Sequence, residues 1–215
     1  MYESTGLPGK STIRQVNHTN GKVVRIKKLD TAIFAEGMTI LSDTIYQLTY
    51  QNHIVYVYRL KDFSLIKQLN WSNEGWGITN NGTNLIISEG SDKLYFVRPS
   101  DFRLIKVVSV TDNLGPVNNL NELEFIDGFV YANRYQHNYI LKIDPNTGQV
   151  AARIDLTDLL KRFSKADLSY LTKAGSTGRE HGAELNGIAW DSTGKKMFVT
   201  GKLWPNLFEV QITDQ

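Results

Sequence analysis

The chain has 215 residues, 41% of them hydrophobic and 21% charged, which is ordinary for a globular protein with a substantial core. A net charge of +2, with the basic residues spread along the chain, speaks against a nucleic-acid partner, and the lack of cysteine excludes disulfides and thiolate metal sites. No apolar run reaches the roughly 18 residues that a membrane span needs, so no membrane partner is expected, and the opening Met-Tyr-Glu-Ser-Thr-Gly reads as neither a signal nor a transit peptide.

Short runs rich in Tyr, Phe, Val and Ile, bounded by turn residues, follow one another from end to end. The opening MYESTGLPGKSTIRQVN (1–17) reads as the second and third strands of a sheet, followed by NGKVVRI (20–26). EGMTILSDTIYQLT (36–49) is a strand–turn–strand, then come IVYVYRL (54–60) and DFSLIKQL (62–69). The same order recurs as EGWGITNNGTNLIIS (74–88), KLYFVRP (93–99) and DFRLIKVV (101–108), and again as NELEFIDGFVYAN (121–133) with NTGQVAARI (146–154). One segment has helical spacing, TDLLKRFSKADLSYLTKA (157–174), with Thr157 or Asp158 as its cap. GSTGREHG (175–182) reads as a flexible loop over a channel mouth, and NGIAWDSTGKKMFVT (186–200) is a last hairpin.

A strand unit recurring about every forty residues, lengthened once by a helical insertion, predicts the blades of a β-propeller. Four inner strands are visible and the first blade lacks its own, so a single all-β domain over 1–215, with five blades of which the first is incomplete, is expected. The inner strands open on Glu36, Glu74, Asn121 and Asn186, and inner strands line a propeller axis, so these four should gather into a site. Each has a bland alternative: Glu36 in a turn, Trp76 in the core, Asn121 as a cap, Lys202 solvated, and Glu122 and Glu124 bonding neighbouring blades. The four histidines have no metal-ligand spacing.

FAEG (34–37), EGWGIT (74–79), NLNELEFIDGFVYAN (119–133), ILKIDPNTGQV (140–150), LNGIAWD (185–191) and MFVTGKLWP (197–205) resemble, in order, the plant- and bacterial-type glutaminyl-peptide cyclotransferases, which are five-bladed propellers. The resemblance implies conversion of a peptide's or protein's N-terminal glutamine to pyroglutamate with release of ammonia, by a monomer needing no metal or other cofactor in catalysis. It also implies an exported protein. Residue by residue it makes Glu36 the proton shuttle, with Lys202 and Asn121 as the other catalytic groups. Phe34, Tyr50, Trp76 and Tyr135 become the aromatic substrate wall. Glu74 and Asn186, which the repeat places at equivalent strand starts, are expected as further substrate-binding residues. Tyr50 and Tyr135 stand where the family usually has tryptophan, so each hydroxyl needs a partner. The family's first inner strand, with its Phe-Thr-Gln-Gly-Leu motif, has no counterpart here. A sequence beginning inside a longer chain is one explanation, a degenerate relative the other. Two other classes compete: a metal-dependent hydrolase of the gluconolactonase-like kind, using Glu36, Asn121 and Asn186, and a propeller that binds peptides without chemistry.

Overall fold

The computed structural model describes residues 1–175 and 183–212. Its strands form antiparallel meanders in which each strand pairs with its neighbour in sequence. The first sheet is β1 (Tyr2–Thr5), β2 (Thr12–Val16) and β3 (Val23–Lys28), and the second is β4 (Ala35–Leu41), β5 (Thr44–Thr49), β6 (Ile54–Arg59) and β7 (Leu65–Asn70). The third comprises β8 (Ile78–Asn80), β9 (Leu85–Ile87), β10 (Lys93–Val97) and β11 (Leu104–Ser109), and a short ribbon, β12 (Thr111–Asp112) with β13 (Gly115–Pro116), follows. The fourth is β14 (Leu120–Ile126), β15 (Phe129–Arg134), β16 (Tyr139–Ile143) and β17 (Val150–Asp155), and the fifth β18 (Leu185–Asp191), β19 (Lys196–Gly201) and β20 (Phe208–Val210). This all-β set of five meanders is that of a five-bladed β-propeller.

Contacts divide the chain into two compact units, Met1–Glu89 with Lys93–Val108, and Gly90–Asp92 with Ser109–Gln215. The first unit holds the first three sheets. Its core has two parts: Ile13, Ile45, Tyr58 and Phe63 join the first sheet to the second, and Leu48, Val55, Trp71, Ile78 and Ile87 join the second to the third. Covered on both sides, β5 is buried along nearly its whole length rather than on alternate residues. The second unit holds the fourth and fifth sheets, joined by Ile126, Tyr131, Ile140, Leu185, Ile188 and Val199.

The strands after the recurrent turns, β3, β7, β11 and β17, are the outermost of their sheets. Val24, Ile66 and Ile105 stand exposed there, interleaved with charged residues such as Arg25, Lys67 and Lys106. Such charges discourage pairing by another chain at an open edge. The Asp127-Gly128 turn between β14 and β15 has positive φ at both residues, 46° and 91°, the hairpin geometry that Asp-Gly favours.

The 157–174 segment is two helices, not one. A 3-10 helix covers Thr157–Arg162, and α1 (Lys165–Gly175) follows. Phe163 between them is extended, and its ring meets Trp204 and Phe208 edge-on at 5.0 and 5.2 Å. The cap of α1 is Ser164, not Thr157 or Asp158. Its Oγ accepts the Asp167 N–H at 3.1 Å, while Asp167 Oδ2 accepts the Ser164 N–H at 3.0 Å, a capping box. The loop expected at 175–182 lies, beyond residue 175, outside the described residues, and so does His181. Among the described residues no helix is long and apolar enough to cross a membrane.

Candidate active site

Three inner strands share one irregularity. Between Ala35 and Met38, between Leu120 and Leu123, and between Leu185 and Ile188, the inner strand carries one residue more than its partner. A β-bulge of this kind twists the strand and re-aims the side chains on it. The bulged pairs are Glu36-Gly37, Asn121-Glu122 and Asn186-Gly187. In the third sheet Ile78 opposes Ile87 as Met38 opposes Gln47, and Trp76 N–H bonds Ser88 O at 3.2 Å. Trp76-Gly77 therefore occupies the equivalent position.

This register corrects the repeat read from the sequence. The counterpart of Glu36, Asn121 and Asn186 is Trp76, and Glu74 falls two residues earlier, in the position equivalent to Phe34, Asn119 and Glu184. The signal was in the sequence: Gly37-Met-Thr39 aligns with Gly77-Ile-Thr79, but the repeated Glu-Gly pair is the more conspicuous match and is out of register.

The partner strands end equivalently. Tyr50 N–H donates to Phe34 O at 3.0 Å, Tyr135 N–H to Asn119 O at 2.8 Å, and Lys202 N–H to Glu184 O at 2.8 Å. Lys202 thus takes in the fifth sheet the place of the tyrosines in the second and fourth.

In the first unit, β4 and the segment before β8 lie side by side. Gly37 N–H bonds Trp76 O at 2.9 Å, and a Cβ on Gly37 would fall 2.8 Å from that oxygen. Only glycine permits this approach. Phe34 and Tyr50 rings lie 5.9 Å apart. The Tyr50 hydroxyl feels two carboxylates: burial, then the charge of Glu74, then the charge of Glu36, hold its pKa above the ordinary phenol value. Trp76 Nε1–H donates to Glu74 Oε2 at 3.0 Å, and Gln51 Nε2–H to Glu74 Oε1 at 2.8 Å. The structure thus brings Phe34, Glu36, Tyr50, Glu74 and Trp76 together. Sequence reasoning missed Gln51, a polar residue next to Tyr50 that no motif marks.

In the second unit, Asn121 is 4% exposed. Lys202 is exposed, and its Nζ lies 4.8 Å from the centroid of the Tyr135 ring, a cation–π contact. Trp204 locks the corner that carries the lysine. Its backbone N–H bonds Gly201 O at 3.0 Å and its Nε1–H bonds Ala183 O at 2.8 Å. Leu203 takes the positive φ, 62°, that this turn demands, and a Cβ at Gly201 would strike the Trp204 ring at 2.2 Å. Asn186 Oδ1 is buried with no hydrogen-bond partner.

Glu122 and Glu124 join neighbouring sheets. Glu122 Oε2 accepts the Ile188 N–H at 2.8 Å and Glu124 Oε1 the Trp190 N–H at 3.1 Å, while Asn133 Oδ1 accepts Gly187 N–H at 2.8 Å. Burial, with the charge of Glu124 added, pushes the Glu122 carboxyl well above the carboxylate range. His18 and His53 are exposed and His137 half-buried, and no group of three potential ligands able to hold a metal occurs among the described residues.

Comparison with known proteins gives one answer at every level. The glutamine cyclotransferase family model matches residues 1–212. A glutaminyl-peptide cyclotransferase of Arabidopsis thaliana is 36% identical over 213 residues, which are 99% of this chain and 63% of that protein, so the chain spans less than two thirds of that relative's length. The crystal structure of Myxococcus xanthus glutaminyl cyclase matches with a TM-score of 0.82 at 34% identity, over 98% of this chain and 84% of that one. Hydrazine synthase of Kuenenia stuttgartiensis, with a TM-score of 0.51 and 12% identity, shares the fold alone.

Proposed function

Since the chain belongs to the glutamine cyclotransferase family, we propose that it cyclises the N-terminal glutamine of peptides or proteins to pyroglutamate and releases ammonia. The observation that supports this reading is the bulge at Glu36-Gly37 on β4, with the Glu36 charge acting on the Tyr50 phenol and the Phe34 and Tyr50 rings 5.9 Å apart. A carboxylate beside aromatic walls suits a substrate whose reacting end is an uncharged amide on a short methylene chain.

The reaction joins the substrate's α-nitrogen to its own γ-carbonyl carbon. Glu36 accepts the proton that the attacking amine loses. A tetrahedral carbon forms, and its oxygen gathers negative charge. That charge calls for a cation or an amide N–H, the groups that Lys202 and Asn121 supply in the second unit. Glu36 then returns the proton to the former amide nitrogen, the C–N bond breaks, and ammonia leaves. Proton transfer of this kind contributes about 10²–10⁴-fold, and holding the glutamine folded removes much of the entropic barrier to ring closure. Phe34, Tyr50 and Trp76, in the same unit as Glu36, supply apolar contact with the methylenes, while in the second unit Tyr135 offers an aromatic face and Asn186, with an unpaired buried oxygen, an acceptor for an N–H.

The test is direct. The full chain is incubated with a glutamine-initiated peptide, and ammonia and the pyroglutamyl product are measured together. Equal amounts of both support the reading, and a folded chain that leaves the peptide unchanged rejects it. The glutamine cyclotransferase membership favours this reading over a gluconolactonase-like hydrolase.

A further inference from the structure

Both oxygens of Glu74 are engaged by its own unit. Oε1 receives Gln51 at 2.8 Å, Oε2 receives the Trp76 indole at 3.0 Å, and the charge of the carboxylate acts on the neighbouring Tyr50 phenol. A carboxylate that already has a donor on each oxygen is held in place rather than poised for a new partner. The backbone beneath is tied as well. Glu74 O accepts the Trp71 indole N–H at 3.1 Å, and the following Gly75 N–H bonds Tyr50 O at 3.1 Å. Gly75 itself admits no side chain, because a Cβ there would stand 2.6 Å from Thr49 O. The carboxylate is therefore held on a rigid stem, and an indole has one polar handle by which its plane can be fixed.

We propose that Glu74 is a positioning residue: its carboxylate, anchored by Gln51, fixes the Trp76 indole beside the Tyr50 phenol as a preorganised aromatic wall, and does not itself bind substrate. The proposal deepens the cyclotransferase reading and rests on it for its kinetic consequence. A wall that is already ordered spares the substrate the cost of ordering it, so the loss shows in binding more than in chemistry.

The experiment uses the full chain and four forms: wild type, Glu74→Gln, Tyr50→Phe and the double variant. Loss of the carboxylate raises KM for a glutamine-initiated peptide about tenfold and leaves kcat within about threefold. A fall in kcat with KM unmoved overturns the proposal.

A second reading is independent of turnover. The alkaline ultraviolet titration of wild type minus that of Tyr50→Phe isolates the Tyr50 phenol. The same difference taken in the Glu74→Gln background has its midpoint shifted down towards the ordinary value of about 10. An unmoved midpoint overturns the proposal. Failure of the wild type to turn over any glutamine-initiated peptide rejects the cyclotransferase reading instead, and the titration then still decides whether the Glu74 charge acts on Tyr50. If Glu74→Gln does not fold, Glu74→Asp takes its place. The shorter carboxylate raises KM in the same direction by a smaller factor, and an unchanged KM counts against the proposal.

Discussion

The two compact units use the same backbone device for different chemistry. In the first, the bulge positions hold Glu36 and Trp76, and the flanking positions hold Phe34, Tyr50 and Glu74. In the second, the bulge positions hold Asn121 and Asn186, and the partner strands end on Tyr135 and Lys202. One unit is thus aromatic and acidic, the other amide-bearing and cationic. The register decides where a side chain is presented, and only the side chain decides what it does there. A repeat can diversify its chemistry in this way without moving its backbone.

The sharpest way to test the contrast is to remove the charge from each unit in turn. Glu36→Gln should lower kcat by about 10³-fold with KM and melting temperature little changed, since it removes the carboxylate proposed as proton acceptor and keeps the shape. Lys202→Met should cost about 10²-fold, the scale of losing one oxyanion donor, and should leave the Tyr135 ring in place. If Lys202→Met proved as severe as Glu36→Gln, the two units would not divide the chemistry as described.

The glycines test the backbone side of the comparison. Gly37→Ala should cost about 2–3 kcal/mol in a denaturant titration, because the new methyl meets the Trp76 carbonyl, which cannot turn aside. Gly187→Ala should cost about 1–2 kcal/mol. There the nearest atom, 2.7 Å away, is the rotatable Thr200 methyl, and the penalty comes from a φ of 140°. The reverse order would show that the bulges of the two units are not held alike.

The smallest effect concerns Glu122. Its carboxyl is raised in the folded chain, so the folded state binds a proton that the unfolded state has released. Stability therefore falls as pH rises from the ordinary carboxylate value, about 4.3, to the raised one, by about 1.4 kcal/mol per pH unit at most. Glu122→Gln keeps an acceptor for the Ile188 N–H and should flatten that slope.

Local chemistry determined much of what this chain is. Tyr, Val and Ile runs between Asn-Gly and Asp-Gly turns specified strands and hairpins, because side-chain stiffness and turn geometry act over a few residues. The forty-residue recurrence indicated blades, and the motifs around Glu36, Trp76, Asn121 and Lys202 pointed to their family. Three things were decided by tertiary structure. The equivalence of Trp76 with Glu36 depends on bulges, which exist only when a partner strand supplies the register. The break at Phe163 arises because its ring gains more against Trp204 and Phe208 than a continuous helix would give. The role proposed for Glu74 depends on Gln51 and Trp76 reaching one carboxylate, a meeting fixed by packing and invisible in the order of residues.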